Sequence, residues 1–149
     1  RILLRTYRRD MEKNNTTQPA AEEKSKPILQ FSVLCDGVAK GQGGKPVFIG
    51  IFDNLVRTGV IPQFFIANRW SYGKGKFKQK IAIKNPELNS NIAEVADQEF
   101  ILQNETSPAN IISGLVNVNF ERAGVYWVEI SLDDELVMSY PLPVYEQQK

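Results

Sequence analysis

From Pro27 onward, turn-forming residues divide the chain at intervals of roughly 12–15 residues, and this spacing restricts the fold more than any other feature. The separators are the Gly41–Gly44 cluster, Gly59, Tyr72-Gly73-Lys74-Gly75, Asn85-Pro86, Ser107-Pro108, Ala123-Gly124 and Asp133-Asp134. Between them lie short segments rich in β-branched and aromatic residues: Ile28–Cys35, Val47–Phe52, Pro62–Trp70, Lys76–Lys84, Glu99–Gln103, Ile111–Phe120, Val125–Leu132 and Leu136–Val144. Only Ala93–Asp97 suggests a helical turn. The expected fold class is all-β: an antiparallel two-sheet sandwich, immunoglobulin-like or related, of about seven or eight strands.

Individual segments sharpen this expectation. In Lys76–Lys84, Phe77, Ile81 and Ile83 fall on one face, and Lys76, Lys78, Lys80 and Lys84 on the other. That period of two marks a strand with one wet face. Tyr126, Val128, Ile130 and Leu132 share a face in the same way. Val47–Phe52 is apolar at every position, the pattern expected of a strand covered on both faces. Leu132-Asp133-Asp134-Glu135-Leu136 reads as a hairpin turn. Pro141 and Pro143 remove ladder donors and place the last strand at a sheet edge.

Composition narrows the chemistry. The 149 residues suit one domain with its own core. The sequence contains no histidine, which removes the commonest general base and metal ligand and the usual partner of a nucleophilic serine or cysteine. Its single cysteine, Cys35, can form neither an intrachain disulfide nor a cysteine metal cluster, and its apolar surroundings suit a buried, inert thiol. A formal net charge of +1 gives no whole-molecule attraction for nucleic acid or anionic membrane. No cofactor or metal is expected, and no apolar run reaches the length of a membrane span.

The glycine cluster invites comparison with a phosphate loop, which requires G-x-x-x-x-G-K-[ST] opening a helix. Here Pro46 follows Gly44-Lys45, Ala39 stands where the first glycine belongs, and a strand-like run follows. The dinucleotide fingerprint fails as well, because Pro46 occupies its third glycine position. Gly41–Lys45 therefore reads as a hairpin turn, with Lys45 in water at its mouth.

The stretch from Arg69 to Lys84 interleaves aromatics with cations, a composition used to stack bases and neutralise phosphate. Alternating lysines also mark an ordinary solvated strand face. Loop carboxylates at Asp36, Asp53, Asp97, Asp133 and Asp134 lack the D-x-D-x-D spacing of a calcium loop. Candidate contact residues are Phe64, Phe65, Arg69, Trp70, Tyr72, Lys76, Lys78 and Lys80, with the edge strands beside them. No catalytic residue is singled out.

The stretches FSVLCDGVAKGQGGKPVFIGIFDNL and GVYWVEISLDDELVMSYPLPV resemble an uncharacterised family of small bacterial proteins, a domain of unknown function. In that family a strand ending in Cys-Asp leads through a short turn and Gly-Lys into a GIFD-like strand. The resemblance spans residues 28–146 and implies a single β-sandwich. It brings no activity, cofactor or functional residue with it.

Outside that span, residues 1–26 read as a polar, flexible tail before a domain at 27–149. Residues 1–10 read as lying upstream of a native start at Met11; the alternative is a short basic helix touching anionic lipid. The expected location is the cytoplasm, where the Asn15 and Asn104 sequons carry no glycan. The expected function is a non-catalytic domain that binds another protein or assembles with itself. The alternatives are nucleic-acid or polyanion binding through Arg69–Lys84, and a small carboxylate-based enzyme.

Overall fold

In the computed structural model, residues 24–147 are described. The readings of residues 1–10, the basic helix, the Asn15 sequon and the tail up to residue 23 lie outside them. Eight strands follow in order: β1 (Ile28–Lys40), β2 (Pro46–Phe52), β3 (Gly59–Ser71), β4 (Gly75–Lys84), β5 (Asn91–Leu102), β6 (Ala109–Phe120), β7 (Gly124–Leu132) and β8 (Glu135–Val144). They form two four-stranded sheets with hydrogen-bonded orders β2-β1-β3-β6 and β5-β4-β7-β8. All pairings within the sheets are antiparallel. The all-β sandwich implied by the turn spacing is therefore the observed architecture.

The core follows from alternation. Phe77, Ile81 and Ile83 of β4, with Tyr126, Val128, Ile130 and Leu132 of β7, face inward from one sheet. Phe64, Ile66 and Trp70 of β3, with Leu115, Val118 and Phe120 of β6, meet them from the other. Each such side chain contributes roughly 1.5–3 kcal/mol on full burial. Two aromatic pairs join the sheets. Trp70 stacks on Phe100 with ring centroids 5.9 Å apart, and Phe120 meets the Tyr126 ring edge-on at 5.0 Å.

A polar seam crosses this apolar interior. Asn68 Nδ2 and Trp70 Nε1 both donate to Gln79 Oε1, at 3.0 and 2.7 Å. Gln79 Nε2 donates to Gln98 Oε1 at 2.9 Å, which also accepts from Ser113 Oγ at 3.0 Å. Four strands, β3, β4, β5 and β6, are thus tied through one fully buried glutamine. Nearer β8, the Ser32 and Tyr140 hydroxyls are hydrogen-bonded at 2.8 Å, and burial pushes the Tyr140 phenol above its ordinary pKa.

Turn chemistry behaves as expected. Asp133 and Asp134 both have positive φ, 47° and 67°, as a two-residue hairpin turn of type I′ requires. Gly43 and Gly44, at φ 73° and 77°, reverse the chain between β1 and β2, and Gly41 N–H donates to Lys45 O at 2.7 Å. Pro141 and Pro143 lie on β8, which among the described residues has β7 as its single sheet neighbour, so the edge placement is correct.

Three expectations need correction. Ala93–Asp97 is not a helical turn but part of β5, which begins at Asn91. The ladder pairs Gln79 with Gln98 but Ile81 with Val95, so β5 carries one extra residue there. That bulge moves the apolar positions from Ala93 and Val95 to Phe100 and Leu102, and the broken alternation imitates helical spacing. Second, Lys24–Lys26 belong with the folded strands: Ser25 bridges Lys74, with Ser25 N–H donating to Lys74 O at 2.8 Å and the return bond at 2.9 Å. Third, β2 is not covered on both faces, as described below.

An exposed ion pair stands beside the two backbone hydrogen bonds at Ser25. Lys24 Nζ sits 2.7 Å from Asp133 Oδ2, and the other carboxylate oxygen accepts the Lys78 backbone N–H at 2.9 Å. The Lys24 hydrogen bond, with that amide, holds the Asp133 carboxyl below its usual pKa. A lowered folded-state pKa gives stability that is present above the unfolded value and lost as pH falls through the folded one. Protection factors at the Ser25 and Lys74 amides, taken against the intrinsic exchange rate at each pH, should therefore fall once pH drops below about 4, before those of β4 and β7. Unchanged protection there would show that the carboxylate does not hold the clip.

At the β6–β7 corner, Tyr126 Oη donates to Arg122 O at 2.9 Å. The bond ties the start of β7 to the backbone of the corner residue four positions before it. Tyr126→Phe should cost about 1 kcal/mol of unfolding free energy in urea titrations, the net worth of one part-buried hydrogen bond. A variant as stable as wild type would show that the corner is held by packing alone.

Candidate interaction surface

The two outer faces of the sandwich differ in kind. On the β5-β4-β7-β8 sheet the outward positions of β4 are Lys76, Lys78, Lys80, Ala82 and Lys84. Acids on neighbouring strands and turns answer most of the lysines. Lys76 lies 3.2 Å from Glu99, Lys78 3.5 Å from Asp97 and 3.1 Å from Asp134, and Lys84 3.9 Å from Glu129. The Asp134 hydrogen bond, with the nearby carboxylates, raises the Lys78 pKa. An open cleft of about 520 Å³ beside this face is lined by Lys24, Lys76, Phe77, Lys78, Glu99 and Asp133. Its charges of both signs are largely matched within it.

The outer face of the β2-β1-β3-β6 sheet is mainly apolar, with Cys35 and Ala67 at its middle already covered and its exposed apolar residues towards the β2 edge. The ladder sets Val33 of β1 beside Ala67 of β3, and Ala67 beside Ile112 of β6. Cys35 pairs with Phe65 on one side and Ile51 on the other. Cys35 itself is fully buried, and burial pushes its thiol pKa up, which removes it as a nucleophile at neutral pH. Arg69 rims this face, its guanidinium 5.1 Å from the Phe31 ring centroid and its Nε donating to Asn110 Oδ1 at 2.7 Å.

At the edge of this sheet β2 leaves Val47, Ile49 and Ile51 in solvent, at 43%, 54% and 60% exposure. Phe48 and Phe52, at the alternate positions, are half-buried. The reason lies in β1. Phe31 is paired with Arg69, and Val38, seven residues on, is paired with Phe48, a separation of about 23 Å along a straight strand. Yet the Phe31 and Phe48 rings stand 6.1 Å apart. The hairpin must therefore bend. The ladder is interrupted at Asp36 and Gly50, where Gly50 has φ 67° and the Asp36 side chain lies over its α-carbon.

The residues singled out from sequence scatter over this geometry. Phe64 and Trp70 are core residues, 1% and 0% exposed, so their place on a contact surface is overturned by packing. Of the three aromatics in the basic stretch, Trp70 and Phe77 are buried and only Tyr72 is exposed, which removes most of the stacking platform. Phe65 and Arg69 belong to the apolar sheet face, whereas Lys76, Lys78 and Lys80 lie on the opposite side of the molecule. The loop carboxylates do not converge on an open site: Asp36 lies over Gly50, Asp53 accepts from Asn54, Asp97 and Asp134 share the Lys78 ammonium, and Asp133 takes Lys24. Among the described residues no group of three or more Cys, Asp or Glu side chains is placed to hold a metal ion. No described helix is long and apolar enough to cross a membrane.

Val47, Ile49 and Ile51 are the surface residues that sequence reasoning missed. Their signal was present but ambiguous, because a strand apolar at both parities looks the same whether its second face is covered or bare. The glycine at position 50 was the pointer to a break in the strand.

Fold and surface together define a small antiparallel β-sandwich with one ion-paired outer face that also exposes Ile101, Val125 and Leu136, and one outer face that is mainly apolar. The chain belongs to a family of unknown function, DUF6941, whose family model matches residues 30–145. No curated protein matches it. The family resemblance expected from Cys35-Asp36-Gly37 and Gly50-Ile51-Phe52-Asp53 is therefore correct, and the structure gives those residues a shared role. Cys35 pairs with Ile51, Gly37 with Ile49, and Asp36 lies over Gly50, so the two signatures are the two sides of the hairpin bend.

Proposed function

We propose that this protein is a non-catalytic interaction domain of a reducing compartment such as the cytoplasm, and that it engages its partner through the apolar outer face of the β2-β1-β3-β6 sheet and the exposed β2 edge. The carrying observation is the asymmetry of the sandwich. Val47, Ile49 and Ile51 stand in water along one free strand edge beside an apolar sheet, whereas the exposed apolar residues of the other face, Ile101, Val125 and Leu136, are spread over three strands among lysines facing acids. Contiguous exposed apolar surface on a soluble domain marks a contact site, and an open strand edge supplies backbone donors and acceptors to a partner. The free Cys35 fits a reducing compartment. The strand order with its tyrosine-capped β6–β7 corner supports an immunoglobulin-like arrangement, in which β3, β4, β6 and β7 stand for the B, C, E and F strands.

The test compares two paired substitutions on opposite faces. Ile49→Lys with Ile51→Lys should abolish capture of specific partners, at least tenfold by quantitative mass spectrometry, while leaving the unfolding midpoint within a few degrees of wild type. Lys76→Glu with Lys80→Glu should leave capture unchanged. The reverse pattern, together with a salt-dependent shift of single-stranded nucleic acid by the wild-type protein, would favour polyanion binding instead.

A further inference from the structure

The β2 edge carries a more specific assignment, which rests on the reading of that face as a contact surface. We infer that its occupant is a second copy of the same strand: β2 pairs antiparallel with β2 of another molecule across a two-fold axis through Ile49. Among the described residues β2 has β1 as its only neighbour, so its outer edge is free. The strand Pro46–Phe52 contains no charged residue, and opposite charges stand just outside its two ends. Lys45 and Asp53 are both exposed and, among the described residues, neither takes part in an ion pair.

Their positions decide the register. Lys45 and Asp53 are equidistant in sequence from Ile49. In an antiparallel pair centred on Ile49, Lys45 of each copy falls opposite Asp53 of the other, so both ends of the ladder close with an ion pair. Between them Val47 lies opposite Ile51, and Ile49 meets its own copy. Phe48 lies opposite Gly50, a pairing in which an aromatic ring shields a strand glycine. Moving the centre to Phe48 would place Lys45 against Ile51, and moving it to Gly50 would place Asp53 against Val47. Either shift sets a charge against an aliphatic side chain and loses both ion pairs. A two-fold interface demands this kind of self-complementarity.

The other edges are guarded against such pairing. Prolines 141 and 143 interrupt β8, and the segment after β2 covers its end, with Leu55 N–H donating to Pro143 O at 2.9 Å and Tyr145 N–H to Leu55 O at 2.8 Å. The edge strand β5 bears Glu94, Asp97 and Glu99 and a bulge, and β6 carries Asn117 at φ 52°. These are the devices by which natural sheets prevent edge association, and in β2 they are limited to Pro46 at its first position and the bend at Gly50. A single strand pair buries less surface than a standard interface, so the dimer belongs to the weak, reversible class.

Cysteine trapping reads the register without needing a tight complex. Directly opposed residues in an antiparallel ladder have Cα atoms about 4.5–5.5 Å apart, within disulfide reach. Ile49→Cys should therefore form an intermolecular disulfide under mild oxidation at least tenfold faster than Val47→Cys alone, whose two copies would stand about 13 Å apart. Mixing Val47→Cys with Ile51→Cys should give the crosslinked heterodimer. Wild type, with Cys35 buried, should give none. In sedimentation equilibrium, Lys45→Asp and Asp53→Lys should each weaken association by about tenfold, and the double exchange should restore it.

Trapping of Ile49→Cys no faster than Val47→Cys would overturn the self-pairing, as would a double exchange as weak as either single variant. If the protein stays monomeric in every assay while Ile49→Lys with Ile51→Lys still abolishes capture of another protein, the self-pairing fails and the contact-surface reading stands. If those substitutions leave capture unchanged, the reading of the face fails as well.

Discussion

Replacing Gln79 by leucine is expected to lower the unfolding free energy by about 2–4 kcal/mol, with a matching fall in the urea midpoint and little change in slope. Leucine fills the space but removes the acceptor shared by Asn68 Nδ2 and Trp70 Nε1. Both donors are fully buried, and each stranded one costs about 1–3 kcal/mol of desolvation that no hydrogen bond returns. Gln98 loses a donor but keeps Ser113, so its share is smaller. The decisive companion is a triple replacement, Asn68→Leu, Trp70→Phe and Gln79→Leu, which removes donors and acceptor together. Adding Gln79→Leu to the Asn68→Leu and Trp70→Phe background should cost far less than adding it to wild type, because no buried donor is then stranded and the cavity left by the smaller ring is common to both states compared. If Gln79→Leu proves as stable as wild type, the seam is incidental to stability.

The second large effect is expected at Gly50. Gly50→Val should cost about 2–3 kcal/mol, from a positive φ that a β-branched residue tolerates poorly and from contact with Asp36. A Cβ at Gly50 would meet the Asp36 Cγ at 3.0 Å and its Cβ at 3.1 Å. Gly44 is the control. Its φ of 77° is similar, but nothing lies within 4 Å of an added Cβ, so Gly44→Val should bear only the backbone part. Adding Asp36→Gly should return the steric part of the Gly50→Val loss and leave the conformational part. Equal losses at positions 44 and 50 would mean that the Asp36–Gly50 contact does not shape the hairpin. This residue pair bears on function as well as stability, because the bend it permits leaves Ile49 and Ile51 in water.

Much of the fold was legible because period-two alternation is a local consequence of one face being wet. The stretch Lys76–Lys84 shows it most plainly: Phe77, Ile81 and Ile83 are buried and its lysines face outward, as the sequence order alone required. The turns were legible for an equally local reason, since Asp133-Asp134 and Gly43-Gly44 can hold positive φ. The β5 bulge was hidden because one extra residue shifts parity, and a shifted alternation is indistinguishable from helical spacing over five residues. The bareness of β2 was hidden for a different reason. Whether an apolar face is covered depends on which strands flank it, and that is a property of the whole topology.

The contact surface was legible only in part. The aromatic stretch around Trp70 attracted attention by composition, but the aromatics that fill a sandwich and those that dock on a partner are the same residue types. Burial separates them, and burial placed Phe64 and Trp70 inside. The signatures Cys35-Asp36-Gly37 and Gly50-Ile51-Phe52-Asp53 were read as turn and core. They prove to be opposite sides of one bend, and their exposed members lie at its edge.

The most direct test of which surface makes contact is site-specific photocrosslinking in the cells that make the protein. A photoreactive residue is placed singly at Ile49 on β2, Ile101 on β5 and Leu136 on β8, three comparably exposed apolar positions at 54%, 65% and 54%. The expected result is a discrete covalent adduct from position 49, to a second copy of the chain or to another protein, with none above background from 101 or 136. Adducts from position 101 or 136 with none from 49 would contradict the assignment of β2 as the contact edge.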